Sequence, residues 1–224
     1  MADLLQTWAI VVAGGAGTRL GSDRPKAFVK LCGRLLLTHS VEMLDDHPAV
    51  DGIILVVPEG WEEPATLLAD DLAAGKVAAA VTGGRTRAES VAAGLAAVPA
   101  NADLILVHDA ARPFASPELV SRVLEGIFDS DGAVPGLPLT DTVKRVADGR
   151  VVETLDRSQL VSVQTPQAFS AQALRSAFAG AGADATDCAS LIERAGGSVT
   201  VVAGERGNVK ITDTEDLAAA EARC

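Results

Sequence analysis

The segment of this chain best suited to chemistry lies near its start, where residues 13–17 read Ala-Gly-Gly-Ala-Gly after the apolar run 8–12. Its closely spaced glycines allow a tight turn and bring backbone N–H groups against an anion. Arg19 and Lys26 add two positive charges to the same region. The segment therefore predicts a phosphate-binding loop and points to nucleotide chemistry.

The spacing of this loop differs from the two commonest glycine-rich nucleotide motifs. A P-loop has Gly-Lys-Ser/Thr after its last glycine, whereas Gly17 precedes Thr18 and Arg19. The dinucleotide-binding fingerprint would place its third glycine at Leu20. From the loop alone, an ordinary glycine-rich turn with two solvated cations remains the alternative.

Two further polar segments follow apolar runs. Residues 83–87 read Gly-Gly-Arg-Thr-Arg and open a helix, so their N–H groups and the Ser90 hydroxyl are available to a base or a ribose. Asp109 follows the apolar run 104–107 and is a candidate for ribose hydroxyls or for magnesium, directly or through water. A turn cap or an ion pair with Arg112 is the structural alternative for this carboxylate.

Lys210 is another candidate cation, because it lies inside the β-branched segment 209–212. At a strand position, a lysine that points inward would need an anion. In an open α/β sheet, ligands bind outside the carboxyl ends of the strands. We therefore expect Lys210, Asp109 and the glycine loop to meet at one cleft.

The composition of the 224-residue chain fits one α/β domain, with 48% hydrophobic and 22% charged residues. A net charge of −11 argues against nucleic-acid binding and leaves anionic small molecules open. No apolar run approaches the roughly 18 residues of a membrane span, and residues 1–6 lack a signal-peptide pattern. Cys32, Cys188 and Cys224 have no paired spacing, which argues against a disulfide framework or a cysteine-based zinc site and favours a reducing, cytoplasmic location.

Short apolar runs alternate with helical patterns, which predicts a mostly parallel sheet covered on both faces. The predicted strands are residues 8–12, 52–57, 77–81, 104–107, 133–137 and 198–202. Helix start signals are the capping boxes Thr86-x-x-Glu89 and Thr212-x-x-Glu215 and the N-cap pair Ser116-Pro117. Gly196-Gly197 is expected to end a helix that starts near Asp187.

One region breaks the alternation. Residues 142–146 and 150–155 flank Ala147-Asp148-Gly149, and Asp-Gly is a hairpin signal. The pattern predicts a β-arm at about 138–160, and a polar ribbon of this kind usually needs a partner to pack against. An edge hairpin on the main sheet is the alternative.

Taken together, the motifs resemble the 2-C-methyl-D-erythritol 4-phosphate cytidylyltransferase family. The resemblance rests, in chain order, on residues 13–19, Pro25-Lys26, Gly83-Gly84, the His-Asp-Ala-Ala-Arg-Pro block 108–113, Asp141-Thr142, Asp156-Arg157, Thr165-Pro166-Gln167 and the Val-Lys-Ile-Thr block 209–212. It implies one cytidylyltransferase domain over residues 1–224, with a three-layer, Rossmann-like nucleotidyltransferase sheet and a protruding arm. The implied reaction transfers CMP from CTP to 2-C-methyl-D-erythritol 4-phosphate and releases pyrophosphate.

The resemblance also implies a role for individual residues. The expected catalytic cations are Arg19, Lys26, Arg157 and Lys210. The expected nucleotide-binding residues are Ala13, Gly14, Gly15, Gly17, Gly83, Gly84, Ser90, Asp109 and Ala110. The expected binding residues for the second substrate are Thr142, Arg157, Thr165, Thr186, Lys210 and Arg112.

Further implications of the resemblance concern cofactor and assembly. Mg²⁺ would be bound mainly through the CTP phosphates, with no dedicated protein ligands. The arm would exchange between the subunits of a homodimer, and no nucleic acid or membrane would be involved. The alternatives are a cytidylyltransferase for another polyol phosphate, such as ribitol 5-phosphate, and a catalytically silent nucleotide-binding module.

Overall fold

Short β-branched runs form the strands of one eight-stranded sheet in the computed structural model, which describes residues 5–15, 17–180 and 187–223. Within these residues the strands are β1 (Thr7–Val12), β2 (Lys30–Leu31), β3 (Arg34–Leu35), β4 (Gly52–Val57), β5 (Val77–Thr82), β6 (Leu104–Asp109), β7 (Gly132–Pro138), β8 (Lys144–Ala147), β9 (Arg150–Thr154), β10 (Val161–Val163), β11 (Gln167–Ser170) and β12 (Val199–Ala203). The helices are α1 (Leu36–Asp45), α2 (Glu62–Asp71), α3 (Arg87–Ala97), α4 (Pro117–Gly126), α5 (Ala171–Gly180), α6 (Cys188–Arg194) and α7 (Thr214–Glu221). The predicted α/β class is confirmed.

The strand order of the main sheet is β10-β7-β11-β6-β1-β4-β5, with β12 paired to β7. Strand β1 is parallel to β4 and β6, β4 to β5, and β12 to β7, whereas β10 and β11 are antiparallel to their neighbours. All six predicted strands belong to this sheet, with ends within two residues of the expected ones. Strands β10 and β11 were not predicted, because strands of 3 and 4 residues carry little periodicity.

Side-chain alternation along β1 explains why helices cover both faces of the sheet. Ala9 and Val11 join a core cluster with residues of α1, α2 and α4, whereas Ile10 joins a second cluster with residues of α3, α5 and α6. Strands β4 and β6 divide their residues between the same two clusters. Because both faces are buried, these strands are apolar at successive positions, and the three-layer arrangement is confirmed.

Most of the predicted helix boundaries are confirmed. The N-caps are Thr86 for α3, in a capping box with Glu89, Ser116 for α4 and Asp187 for α6. Helix α6 ends before Gly196, whose φ is 84°. The expected capping box at Thr212 is wrong, because Asp213 accepts the hydrogen bonds from the N–H groups of Glu215 and Asp216. The Thr212 hydroxyl instead bonds the Asp216 carboxylate.

Strands β8 and β9 form a two-stranded sheet of their own, so the alternative of an edge hairpin on the main sheet is wrong. Asp148 and Gly149 join the strands with φ values of 49° and 74°, as the two-residue Asp-Gly turn requires. All residues of both strands are exposed. An isolated hairpin is at best marginally stable, and packing of this arm on a second subunit stays a prediction.

One expectation about the cysteines is wrong. Cys32, at the turn between β2 and β3, is disulfide-bonded, although the unpaired spacing of the cysteines argued against a disulfide framework. A cross-link depends on proximity in the fold rather than on spacing in the chain, so the cysteine count gives no support to a reducing environment. Cys188 is a buried free thiol.

In the described part of the chain, no helix is both long and apolar enough to cross a membrane.

Helix α3 approaches the sheet closely at Gly94. A Cβ added there would lie 2.5 Å from Ile10 Cγ2 and 2.8 Å from Val56 Cγ2. We expect Gly94→Ala to lower the free energy of unfolding by about 1–3 kcal/mol, because overpacking outweighs the gain in helix propensity. Urea unfolding followed by circular dichroism measures this change.

The matched control is Gly180→Ala at the end of α5, where an added Cβ meets no atom of the described residues within 4 Å. We expect this variant to be as stable as the wild type or slightly more stable. A Gly94→Ala protein with wild-type stability would contradict the close approach of α3 to β1 and β4.

Candidate active site

The carboxyl ends of β1, β5 and β6 border a cavity of about 420 Å³. Its walls come from the glycine loop after β1, the turn between β5 and α3, the turn after β6 and the segment before α7. The predicted site residues that line it are Ala13, Gly14, Gly15, Gly17, Arg19, Lys26, Gly84, Ser90, Asp109, Ala110 and Lys210. The structure therefore brings both glycine segments together with Asp109 and with most of the expected catalytic cations.

The glycine loop is closed by a backbone hydrogen bond. The N–H of Lys26 donates to the carbonyl oxygen of Gly15 over 3.0 Å, which sets the Lys26 side chain beside the loop. Gly17 has a φ of 74°, and a Cβ there would lie 2.7 Å from the carbonyl oxygen of Arg24. Only glycine fits this position. The glycine loop is therefore packed directly against the backbone of Arg24 and Lys26.

The second glycine segment is held by Ser90. The N–H of Gly84 donates to Ser90 Oγ over 3.2 Å, and Ser90 Oγ donates to the carbonyl oxygen of Thr86 over 2.9 Å. Gly83 lies behind the cavity wall, where a Cβ would come within 2.8 Å of Ser90 Oγ. Ser90 thus fixes the shape of the turn that borders the cavity.

A small apolar cluster supports the glycine loop and the segment before α7 together. Leu20, just after the loop, packs with Leu31, Ile211, Leu217 and Ala220. The last two residues belong to α7, which also contacts the 3-10 turn at Thr18–Leu20. Helix α7 therefore holds two walls of the cavity against each other.

Positive charge accumulates around Lys26. Burial, followed by repulsion from Lys210 and Arg19, lowers the pKa of Lys26 to about 8. Asp109 and Asp216 act in the opposite direction but do not cancel the shift. An anionic ligand would relieve this repulsion.

Asp109 is buried between two cations. Arg87 Nε lies 3.0 Å from Asp109 Oδ1, and Lys210 Nζ lies 2.7 Å from Asp109 Oδ2. Burial alone would raise the pKa of this carboxyl, but the charges and hydrogen bonds of Arg87 and Lys210 hold it well below its usual range. The side chain of Arg112 donates instead to the carbonyl oxygen of Asn208. The alternative that Asp109 forms its ion pair with Arg112 is therefore wrong.

The expectation that Lys210 lies in a strand is wrong, because residues 208–212 have an irregular conformation. Asn208, which is fully buried, donates its side-chain N–H to the carbonyl oxygen of Thr165 over 2.8 Å. The N–H of Ile211 donates to the carbonyl oxygen of Ala111 over 2.9 Å. These anchors direct Lys210 toward Asp109 without a strand, and although its side chain is not buried, Asp109 is its anionic partner.

Thr165 and Arg112 lie beside the cavity rather than on its lining. Thr165 Oγ1 accepts from the N–H of Asp109 over 3.0 Å and lies 3.2 Å from His108 Nδ1. Burial lowers the pKa of His108 to about 4, so this imidazole is neutral near pH 7. In this chain Thr165 and Arg112 support the turn after β6 and the segment that carries Lys210.

Residues of the arm region lie apart from the cavity. Arg157 is exposed and donates to the carbonyl oxygen of Thr140, and Thr142 is also exposed. Neither belongs to the described lining of the 420 Å³ cavity. Thr186 lies outside the described residues. Of the four expected catalytic cations, the chain therefore presents Arg19, Lys26 and Lys210 at the cavity, but not Arg157.

Several lining residues were not predicted to contact a ligand through their side chains: Ala27, Arg85, Thr86, Arg87, Ala111 and Thr212. Arg87 matters most, because it pairs with Asp109. The sequence feature that could have identified Arg87 is its place in the first turn of a capped helix, where the helix dipole disfavours positive charge. Such a residue needs a nearby anion, and the carboxylate at the end of the neighbouring apolar run was the obvious candidate.

Comparisons with known proteins point in one direction. The sequence model of the family described as "IspD: 2-C-methyl-D-erythritol 4-phosphate cytidylyltransferase" matches residues 7–224. The protein of that name from Rhodococcus jostii is 46% identical, over 96% of this chain and 93% of its own length. The crystal structure of the protein of that name from Thermus thermophilus superposes with a TM-score of 0.80 at 35% identity, covering 98% of each chain.

Some relatives are longer than this chain. The bifunctional enzyme IspD/IspF from Nitratidesulfovibrio vulgaris is 46% identical over 97% of this chain and 58% of its own length. The chain thus spans little more than half the length of the bifunctional relatives that it matches. In those proteins the similarity covers one part of a larger polypeptide.

The lowered pKa of Lys26 predicts how anion binding depends on pH. Lys26 is protonated below pH 8 and loses its charge as the pH rises through its pKa of about 8. We expect the affinity for inorganic tripolyphosphate, measured by titration calorimetry, to fall between pH 7 and pH 9. In Lys26→Arg the guanidinium stays protonated, and the affinity should fall less.

The comparison of these two proteins removes the contribution of the probe, because tripolyphosphate titrates in the same way in both experiments. The same pH dependence in the wild type and in Lys26→Arg would show that Lys26 is not the titrating group.

Proposed function

The chain belongs to the 2-C-methyl-D-erythritol 4-phosphate cytidylyltransferase family, and we propose that it transfers CMP from CTP to 2-C-methyl-D-erythritol 4-phosphate. The second product would be pyrophosphate. The observation that carries the proposal is the convergence of Arg19, Lys26 and Lys210 on one cavity formed by two glycine-rich segments. Such a cavity suits a triphosphate that must meet a second phosphate.

The proposed reaction is a direct displacement at phosphorus. An oxygen of the acceptor phosphate forms a bond to the α-phosphorus of CTP, while the bond from that phosphorus to the bridging oxygen breaks. The electron pair leaves with pyrophosphate, and no covalent enzyme intermediate is needed. Because both reactants are anionic, the protein mainly has to align them and stabilise the charge that develops.

Two cations of the glycine loop are placed for the nucleotide side of this reaction. Arg19 and Lys26 line the cavity next to the backbone N–H groups of the loop. We assign them to the triphosphate and to the leaving pyrophosphate. Lysine acts as a compact point charge, whereas arginine can donate to two oxygens at once. Together they would bind the charge that moves from the bridging oxygen to pyrophosphate.

The rest of the nucleotide would be bound by the backbone and by Asp109. Ala13, Gly14, Gly15 and Gly84 bring main-chain groups to the cavity, and Ser90 holds the shape of the second segment. We propose that these groups bind the cytosine, with Gly83 supporting them from behind the cavity wall. We also propose that Asp109 and Ala110 lie at the ribose. Small residues are needed there because a side chain would fill the space that the base requires.

The acceptor would be bound by groups from two subunits. Lys210 lines the cavity, whereas Arg157 and Thr142 lie in the exposed arm region of the same chain. We propose a homodimer in which Arg157 of the partner subunit and Thr142 of the partner subunit complete the site. Thr186, Thr165 and Arg112 are proposed to help with the acceptor, the last two through the turn that they support.

A magnesium ion is expected to accompany CTP. Magnesium prefers oxygen ligands, keeps several waters and is commonly bound through substrate phosphates. Both carboxylate oxygens of Asp109 already contact a cation. The described residues contain no cluster of His, Cys, Asp and Glu side chains suited to a metal. We therefore propose that the ion is held mainly by the CTP phosphates, whose charge it would partly neutralise.

Pyrophosphate release from CTP tests the reaction and the acceptor together. We expect turnover with 2-C-methyl-D-erythritol 4-phosphate and little with ribitol 5-phosphate. Lys26→Ala and Arg19→Ala should each lower kcat by ~10²–10³, because each removes a donor that stabilises charge in the transition state. A preference for ribitol 5-phosphate, or no turnover with either acceptor, would refute the proposal. Normal turnover in either variant would refute that residue's role.

Mixed dimers test whether a site is shared between subunits. Lys26→Ala and Arg157→Ala proteins should each be inactive alone. If Arg157 acts in the partner's site, each mixed dimer contains one site with both residues intact. Random exchange of equal amounts should then restore about a quarter of the wild-type activity. If Arg157 acts in its own subunit, no activity returns.

A further inference from the structure

Asp109 is shared by two cations that differ in exposure. Its Oδ1 contacts Arg87 Nε over 3.0 Å, and its Oδ2 contacts Lys210 Nζ over 2.7 Å. The side chain of Arg87 is 23% exposed and that of Lys210 is 41% exposed. A mostly buried guanidinium therefore binds one carboxylate oxygen, and a more accessible ammonium binds the other.

Arg87 has the features of a permanent partner. It is the first residue of α3, directly after the capping residue Thr86, and its Nη1 lies 3.9 Å from Cys188 Sγ of α6. The helix dipole opposes a cation at this position, so the Asp109 carboxylate is needed to stabilise it. Lys210 instead reaches Asp109 from an irregular segment on a flexible four-carbon stem, and its contact is the easier of the two to exchange.

The proposed function places a further demand on Lys210. Its ammonium is bonded to Asp109 in this structure, whereas the acceptor phosphate would require the same group. If Asp109 had no other partner, release of Lys210 would leave a buried carboxylate without a counter-ion, which is strongly unfavourable. Arg87 removes this obstacle, because Asp109 keeps one cation when Lys210 leaves.

We infer that Arg87 is a positioning residue that holds Asp109 in place while Lys210 exchanges this carboxylate for the phosphate monoester of the acceptor. The inference rests on the proposed function and deepens it at the same site. Arg87 acts through Asp109 and not on the reacting atoms. It sets how readily the ammonium of Lys210 becomes available to the acceptor.

Substitution of Arg87 should therefore affect the two substrates differently. In Arg87→Ala, Lys210 becomes the main partner of Asp109 and is held more tightly. We expect the KM for 2-C-methyl-D-erythritol 4-phosphate to rise about tenfold, with a much smaller change in the KM for CTP. Arg87→Lys keeps a positive charge near Asp109 and should recover most of the acceptor KM. Steady-state kinetics with each substrate varied separately measure this split.

A double substitution separates this role from simple structural support. Asp109→Asn removes the charge that retains Lys210. The acceptor KM of Arg87→Ala/Asp109→Asn should therefore be close to that of Asp109→Asn alone, a departure from additivity of about tenfold. Additive effects, or equal KM changes for both substrates in Arg87→Ala, would overturn the inference.

Arg175→Ala is the matched control. Arg175 donates to the carbonyl oxygens of Leu95, Val98 and Pro99 at the other end of α3, so its loss weakens the same helix away from the cavity. A KM pattern like that of Arg87→Ala would mean that both act through the stability of α3, and the inference would fail.

Wild-type kinetics are measured in the same series. Absence of wild-type turnover with 2-C-methyl-D-erythritol 4-phosphate would refute the proposed function, whereas normal wild-type turnover with additive variants would refute the inference alone.

Discussion

The clustering of mutually repelling cations is the constraint on which the rest of this structure depends. Arg19, Lys26 and Lys210 face one cavity, and burial, together with repulsion from Lys210 and Arg19, lowers the pKa of Lys26. Side chains can be held in such an arrangement only where other interactions fix their backbone. The closed glycine loop, the buried anchor Asn208 and the apolar cluster around Leu20 provide that support.

The parallel strands of the sheet bring the glycine loop and Asp109 to the same edge of the sheet. Val12, the last residue of β1, is in register with Asp109 of β6 on one side and with Val56 of β4 on the other. The N–H of Ala13 donates to Val56 and the N–H of Ala110 donates to Val12, so the ladder continues just past the strand ends. The glycine loop and the Asp109 carboxylate therefore leave adjacent strands side by side, and strand pairing sets the width of the cavity between them.

Much of this arrangement could be predicted from the sequence, because it depends on local patterns. The short apolar runs predicted the buried strands, and the Asp148-Gly149 turn predicted the arm. The errors occur where distant contacts decide the outcome. The conformation around Lys210 is set by side-chain and backbone bonds to the turn after β6 and to Thr165, and no local pattern encodes them. Arg87 had a local signal, a cation in the first turn of a capped helix, but the ion pair itself was not predicted, because it joins residues 22 positions apart.

The proposed division of the site between subunits follows from the same electrostatic constraint. Burial, together with repulsion from Lys210 and Arg19, already lowers the pKa of Lys26 to about 8, and a further cation fixed beside these groups would disfavour the charged form of this lysine more strongly. Because Arg157 lies on a separate exposed region, the single chain avoids that repulsion. The arm, with every strand residue exposed, gains stability only by packing on another surface. Dimer formation would then supply two things at once: the surface that the arm lacks and the cation that the acceptor side of the cavity lacks.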